Sequence, residues 1–167
     1  MPRPAAWIAV VGGGEAEPDA LEAAETAGAA IAAAGAILVC GGLGGVMEAA
    51  CRGARSKLGT TVGILPGTRR DDANGWVTIA LPTGLGEGRN ALVARSADAL
   101  VAIGGGWGTL SEIAFARKLG KPVTGIATWE LARDGRPVDG VVAAGDAAGA
   151  VRWALEQAGH VRQDSTD

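Results

Sequence analysis

The sequence predicts a doubly wound, mostly parallel α/β sheet with helices on both faces, and three observations predict it. Short β-rich runs alternate with longer alanine-rich helical runs, and βαβα units joined by right-handed crossovers build a parallel sheet. The strand runs are almost continuously apolar, as expected when helices cover both faces of a sheet. Glycine clusters follow three of these runs, and each cluster is succeeded by a helix, the strand-to-helix turn of Rossmann-like domains.

Taken in order, strands are expected over 7–11, 36–40, 60–65, 76–80, 99–103 and 122–125. The first helix, 18–34, is opened by Pro18 in its first turn and closed by Gly35 at the C′ position. The second, 45–57, carries a face of small residues (Val46, Ala49, Ala50, Gly53) that lets another backbone lie close. The third covers 88–95, the fourth runs over 109–119 before Gly120 and Pro122, and the last covers 146–158. Loop 66–75 (PGTRRDDANG) is polar and turn-rich and is expected to be flexible. A single domain is expected over 1–159, and residues 160–167 read as a polar, disordered tail.

Bulk composition narrows the function classes. At 167 residues, 48% hydrophobic and 20% charged, the chain reads as one ordered domain. A net charge of −3, with three lysines (Lys57, Lys118, Lys121) and scattered arginines, offers no basic stripe for nucleic acid. Cys40 and Cys51 match no metal-ligand spacing and read as small buried hydrophobes, which implies a reducing, cytoplasmic compartment and no metal site. The opening apolar run stops at glycines and reads as a strand, not a leader. No stretch approaches the roughly 18–20 apolar residues needed to cross a bilayer, so no membrane partner is expected.

Open parallel sheets bind ligands beyond the carboxyl ends of their strands. The glycine clusters 12–14, 41–45 and 104–108 fall at such ends. A helix N-terminus there presents free N–H groups and partial positive charge, and glycines remove the Cβ atoms that would hold a phosphate away. The dinucleotide fingerprint GxGxxG is absent, because Gly12-x-Gly14 is followed by Glu17 and Gly104-x-Gly106 by Thr109. Cys40-Gly41-Gly42 stands where a ribose-binding acid would be, so a dehydrogenase is disfavoured. No Walker loop exists either, since the only Gly-Lys pair, Gly120-Lys121, precedes Pro122. The sole histidine, His160, falls in the expected tail, which leaves a serine or cysteine hydrolase without its base.

Two motifs remain, GEGRN (86–90) and GGGWGTLSE (104–112). Glu112 is placed to point back towards the glycine loop, either as a site carboxylate or as the capping-box partner of Thr109 in T-x-x-E. Arg89 is either a fixed cation for a phosphate or one half of a surface salt bridge.

GGGWGTLSE resembles the PGGxGTxxE signature of the LOG-like family, often labelled "lysine decarboxylase", and Arg89 precedes Asp98 by the nine residues that family's spacing requires. The stretches GGLGGVMEAACRGA, TVGILPG and LPTGLGEGRNALVARSADALVAIGGGWGTLSEIAFARKLGKPV resemble a bacterial branch close to molybdenum cofactor carrier proteins. The resemblance implies a flavodoxin-like doubly wound fold and a homodimer or homotetramer. It also implies hydrolysis of the N-glycosidic bond of a nucleoside 5′-monophosphate to free base and ribose 5-phosphate. Arg89 and Glu112 would be the catalytic pair. Gly105, Gly106, Gly108 and Thr109 would hold the phosphate, with Gly13, Gly14, Gly41, Gly42, Gly44, Gly45, Met47 and Asn90 completing the nucleotide contacts. No cofactor is required in that reading. The alternative implied by the branch is a carrier, without catalysis, of a phosphorylated cofactor such as the molybdenum cofactor. Two positions depart from the pattern: Gly104 replaces the opening proline, and Asn90 replaces the lysine that usually follows the arginine. The decarboxylase label finds no cofactor lysine among three.

Overall fold

The computed structural model describes residues 4–164. Its main sheet has seven strands in the order β4-β3-β2-β1-β5-β6-β9, all parallel. The strands are β1 Trp7–Gly12, β2 Ile37–Cys40, β3 Thr61–Leu65, β4 Ile79–Pro82, β5 Ala99–Ile103, β6 Val123–Ile126 and β9 Val142–Ala143. A two-residue antiparallel pair, β7 Ala132–Arg133 with β8 Arg136–Pro137, lies outside it. The chain reverses its direction of winding between β1 and β5, and that switch point opens the crevice in which such sheets take ligands.

Helices α1 Pro18–Ala33, α2 Val46–Ser56 and α5 Ala147–Asp164 pack on one face around Ile8, Val10, Leu38 and Val101. Helices α3 Asn90–Ser96 and α4 Trp107–Lys118 cover the other face around Ala9, Val11, Val39 and Leu100. Adjacent residues of one strand thus feed different cores, which explains the continuous apolar runs.

The small-residue face of α2 does what its composition suggests. A Cβ added at Gly28 of α1 would overlap the Ala50 carbonyl, and one at Gly53 of α2 would overlap the Glu25 carbonyl. The two helices therefore touch backbone to backbone, a contact only glycine permits. Helix α1 ends as expected at Gly35, where the Ala36 and Gly35 amides return to the Ile31 and Ala32 carbonyls at 3.1 and 2.9 Å. The same motif closes α2, but there the left-handed position holds Leu58, at φ +59° and 86% exposed.

Three expectations need correction. The fourth strand lies at Ile79–Pro82, not 76–80. The Val77 amide is taken up by the Asn74 carbonyl in a turn at 3.2 Å, so pairing begins only with the Thr78 amide, which reaches the Thr61 carbonyl at 3.1 Å beside reciprocal amide-to-hydroxyl bonds of the two threonines at 2.9 Å. The expected tail is helical as far as Asp164 and includes His160, while 165–167 lie outside the described residues. Helix α5 is anchored through Ala150, Val151, Ala154 and Ala158, and once nucleated a helix propagates cheaply. Loop 66–75 is tied at its end, because the Asn74 amide donates to the Gly42 carbonyl and its Nδ2 to the Leu43 carbonyl, both at 2.9 Å. Among the described residues no helix is long and apolar enough to cross a membrane, and no group of three or more His, Cys, Asp or Glu side chains is placed to hold a metal.

Candidate functional site

A cavity of about 250 Å³ opens at the switch point, between the ends of β1, α2, the 3-10 turn Gly86–Arg89, α3 and the start of α4. Its floor is Val10, Val11 and Gly12, and Gly13 and Gly14 rise beside it. Met47 and Asn90 close its flanks, and Gly106, Gly108 and Thr109 form the wall built from α4. Arg89 and Glu112 reach it from opposite elements.

Helix α4 begins at Trp107, with Gly106 as N-cap and no side-chain cap, so Thr109 is its third residue and not its cap. The capping-box reading of Thr109 and Glu112 is thereby overturned. The physical cause lies outside the motif: the Thr128 hydroxyl donates to the Gly104 carbonyl at 2.7 Å and the Trp129 indole to the Gly106 carbonyl at 3.1 Å. Those two bonds hold the loop from outside and let the helix start two residues early. The first-turn amides, which have no acceptor within their own helix, sit on the cavity wall.

Arg89 is buried, at 8% exposure, which disposes of the surface salt bridge. Its Nη1 donates to Asn90 Oδ1 at 2.6 Å and stands 3.7 Å from Glu112 Oε1. Asn90 Nδ2 donates to Ser111 Oγ at 3.0 Å, and Ser111 Oγ to the Gly108 carbonyl at 2.6 Å. A chain of hydrogen bonds thus runs from the guanidinium through Asn90 to the α4 wall. A lysine at position 90 would offer the guanidinium no acceptor. Arg89 Nε is buried without a hydrogen-bond partner.

Burial pushes the Glu112 carboxyl up to about 8 despite the opposing pull of Arg89, and the nearby Glu87 adds to the rise. At neutral pH Glu112 is therefore mostly protonated. No carboxylate lies in hydrogen-bond contact with the guanidinium, since Glu112 Oε1 stands 3.7 Å from Nη1.

Not every expected residue borders the cavity. Gly41, Gly42, Gly44, Gly45 and Gly105 do not. A Cβ at Gly41 would lie 2.8 Å from both Arg89 Nη atoms, so Gly41 makes room for the guanidinium. Gly42 packs against Gly63 and Leu65, and Gly45 against the Gly13–Gly14 backbone. The Val46 amide donates to the Gly13 carbonyl at 3.0 Å, which plugs the N-terminus of α2 with protein. Gly105 sits over the Thr109 side chain. Glu87, Ser111, Thr128 and Trp129 were missed. Glu87, two residues before Arg89 in GEGRN, and Ser111, beside Glu112 in GGGWGTLSE, had a local signal; Thr128 and Trp129 had none.

A model of the SLOG cluster4 family matches residues 5–151. An uncharacterised protein of Archaeoglobus fulgidus is 45% identical over 119 residues, 71% of this chain and 78% of that one. The molybdenum cofactor binding protein of the phototrophic bacterium Rippkaea orientalis superposes with a TM-score of 0.82 at 34% identity, covering 92% of this chain and 97% of that one. The molybdenum cofactor carrier protein of Chlamydomonas reinhardtii gives 0.80 at 36% identity, covering 91% and 98%.

Proposed function

The chain belongs to the SLOG cluster4 family, and from that premise we propose that it binds and carries a phosphorylated cofactor such as the molybdenum cofactor, without catalysis. One observation carries the reading: Arg89 is a buried cation whose nearest acid, Glu112, is held protonated near neutral pH. A glycine-lined cavity with an uncompensated positive charge and a helix N-terminus in its wall favours an anion. The phosphate would lie against Gly106, Gly108 and Thr109, with Arg89 donating to its oxygens and Asn90 fixing the guanidinium plane. The names of the relatives from Rippkaea orientalis and Chlamydomonas reinhardtii support the same cargo.

The test is to mix cofactor released from a molybdoenzyme with stoichiometric protein and follow its oxidation. Protection at one-to-one ratio is expected. Arg89→Met should weaken binding about 10- to 100-fold, the loss of one or two charge-assisted hydrogen bonds. Equal oxidation with and without protein would refute the carrier.

A second reading, hydrolysis of a nucleoside 5′-monophosphate at its N-glycosidic bond, is favoured by one specific observation. Two carboxyls, Glu87 and Glu112, border the cavity, and Glu112 retains a proton that could pass to a departing base. Free base released from a panel of nucleoside monophosphates, and lost in Glu112→Ala, would decide for it. Exposed Ile79, Leu81 and Leu85 support the proposal of a homodimer or homotetramer, to be read by light scattering. The unbonded cysteines Cys40 and Cys51, 3.5 Å apart, support a reducing cytoplasm.

A further inference from the structure

Trp107 is the first residue of α4 and lies between Gly106 and Gly108, both of which border the anion cavity. It is 78% exposed. Its indole, next in the chain to two cavity-bordering residues, keeps most of its surface free to take a flat ligand. Its neighbour Trp129 stands with ring centroids 5.1 Å apart and planes tilted by 40°. Trp129 spends its indole N–H on the Gly106 carbonyl, so the bond that shapes the α4 wall also fixes the ring that braces Trp107.

Size points the same way. A cavity of about 250 Å³ accepts a phosphate and part of a sugar, whereas whole drug-sized ligands fill about 300–1,000 Å³. A bicyclic ring attached to that phosphate then extends beyond the cavity. A separate shallow hollow of about 420 Å³ lies along Gly104, Gly105 and Trp129.

We infer that Trp107, braced by Trp129, is a stacking shelf for the planar heteroaromatic ring of the phosphate ester, and that it distinguishes ring-bearing esters from plain sugar phosphates. The inference rests on the anion-site reading above. It names the substrate class as a phosphate ester of a flat nitrogen heterocycle, a chemistry that nucleotides and pterins share.

Calorimetric titration of the full chain with GMP, a monophosphorylated pterin alcohol and ribose 5-phosphate tests it. Stacking a base on an aromatic side chain strengthens binding by about tenfold or more, so one or both ring-bearing esters should exceed ribose 5-phosphate by that factor. The better of the two identifies the source of the ring. Trp107→Ala should abolish the preference while changing ribose 5-phosphate affinity less than twofold, and Trp107→Phe should restore most of it. Equal binding of all three by the wild type, or a preference that survives Trp107→Ala, overturns the shelf and leaves the anion site standing. Failure of ribose 5-phosphate and inorganic phosphate to bind at all overturns both. A fall in particle mass on Trp107→Ala, read by light scattering, would assign the indole to a contact between copies and overturn the shelf.

Discussion

Two glycine-rich loops, 41–45 and 104–108, follow parallel strands of one sheet, and each leads into a helix. In letters they look alike, yet they do opposite things. The first is filled by the protein. A Cβ at Gly41 would press on Met47 and Arg89, one at Gly42 on Leu65, and one at Gly45 on Gly13 and Gly14, while the Gly13 carbonyl caps α2. The second is open. A Cβ at Gly106 would meet nothing within 4 Å, and one at Gly108 only Asn90 Nδ2 at 3.9 Å. Absence of a side chain serves chain-on-chain packing in one loop and leaves room for an outside anion in the other. A glycine cluster therefore locates a close approach without saying who approaches.

Alanine substitutions should break this comparison most visibly. Gly45→Ala places a methyl on the Gly13 carbonyl at a φ of +62°, and overlap plus left-handed strain should cost roughly 3 kcal/mol or more. Thermal unfolding should fall by about 6–12 °C. Gly106→Ala should stay within about 1 kcal/mol of wild-type stability and lose about tenfold in phosphate affinity with an obstructed wall amide. A Gly45→Ala protein as stable as wild type would refute the distinction.

The open loop can be sharpened with pH. Glu112 ionises near 4.5 when exposed and near 8 in the fold, so between those values the native state holds the extra proton. Raising pH across that window should lower stability by up to about 1.4 kcal/mol per pH unit, with no further loss above it. Phosphate affinity should fall as pH rises through 8, because the new carboxylate offsets Arg89. Glu112→Gln should flatten both profiles, in denaturant titrations and calorimetry respectively. Persistence of either slope in that variant would assign it to other groups.

The smallest effect concerns a left-handed position that lacks glycine. Leu58, at φ +59° and 86% exposed, should gain about 1 kcal/mol on Leu58→Gly as backbone strain is relieved. Chemical denaturation should show a raised midpoint with an unchanged slope.

The sheet and its helices were legible because local patterns encode them, through apolar runs and Pro18 and Gly35 at helix ends, whereas the pairing of Arg89 with Glu112 came from the family resemblance. What escaped depends on partners distant in sequence. Helix α4 starts at Trp107 because Thr128 and Trp129 hold its loop, and no reading of 104–112 alone contains them. β4 starts late because the turn at Asn74 takes up the Val77 amide. The two-residue strands β7, β8 and β9 are too short to carry a period. Gly41 accommodates an arginine from a turn dozens of residues later, a contact that no local reading contains.

The backbone-to-backbone seam of α1 and α2 at Gly28 and Gly53 makes those helices a stiff plate bolted to β1 and β2. The opposite layer is joined partly by polar links such as Asn90 to Ser111, which can be remade at little cost. Amide protons should exchange slowest along the plate and fastest around 86–96, and a cargo arriving in the crevice should slow only the latter.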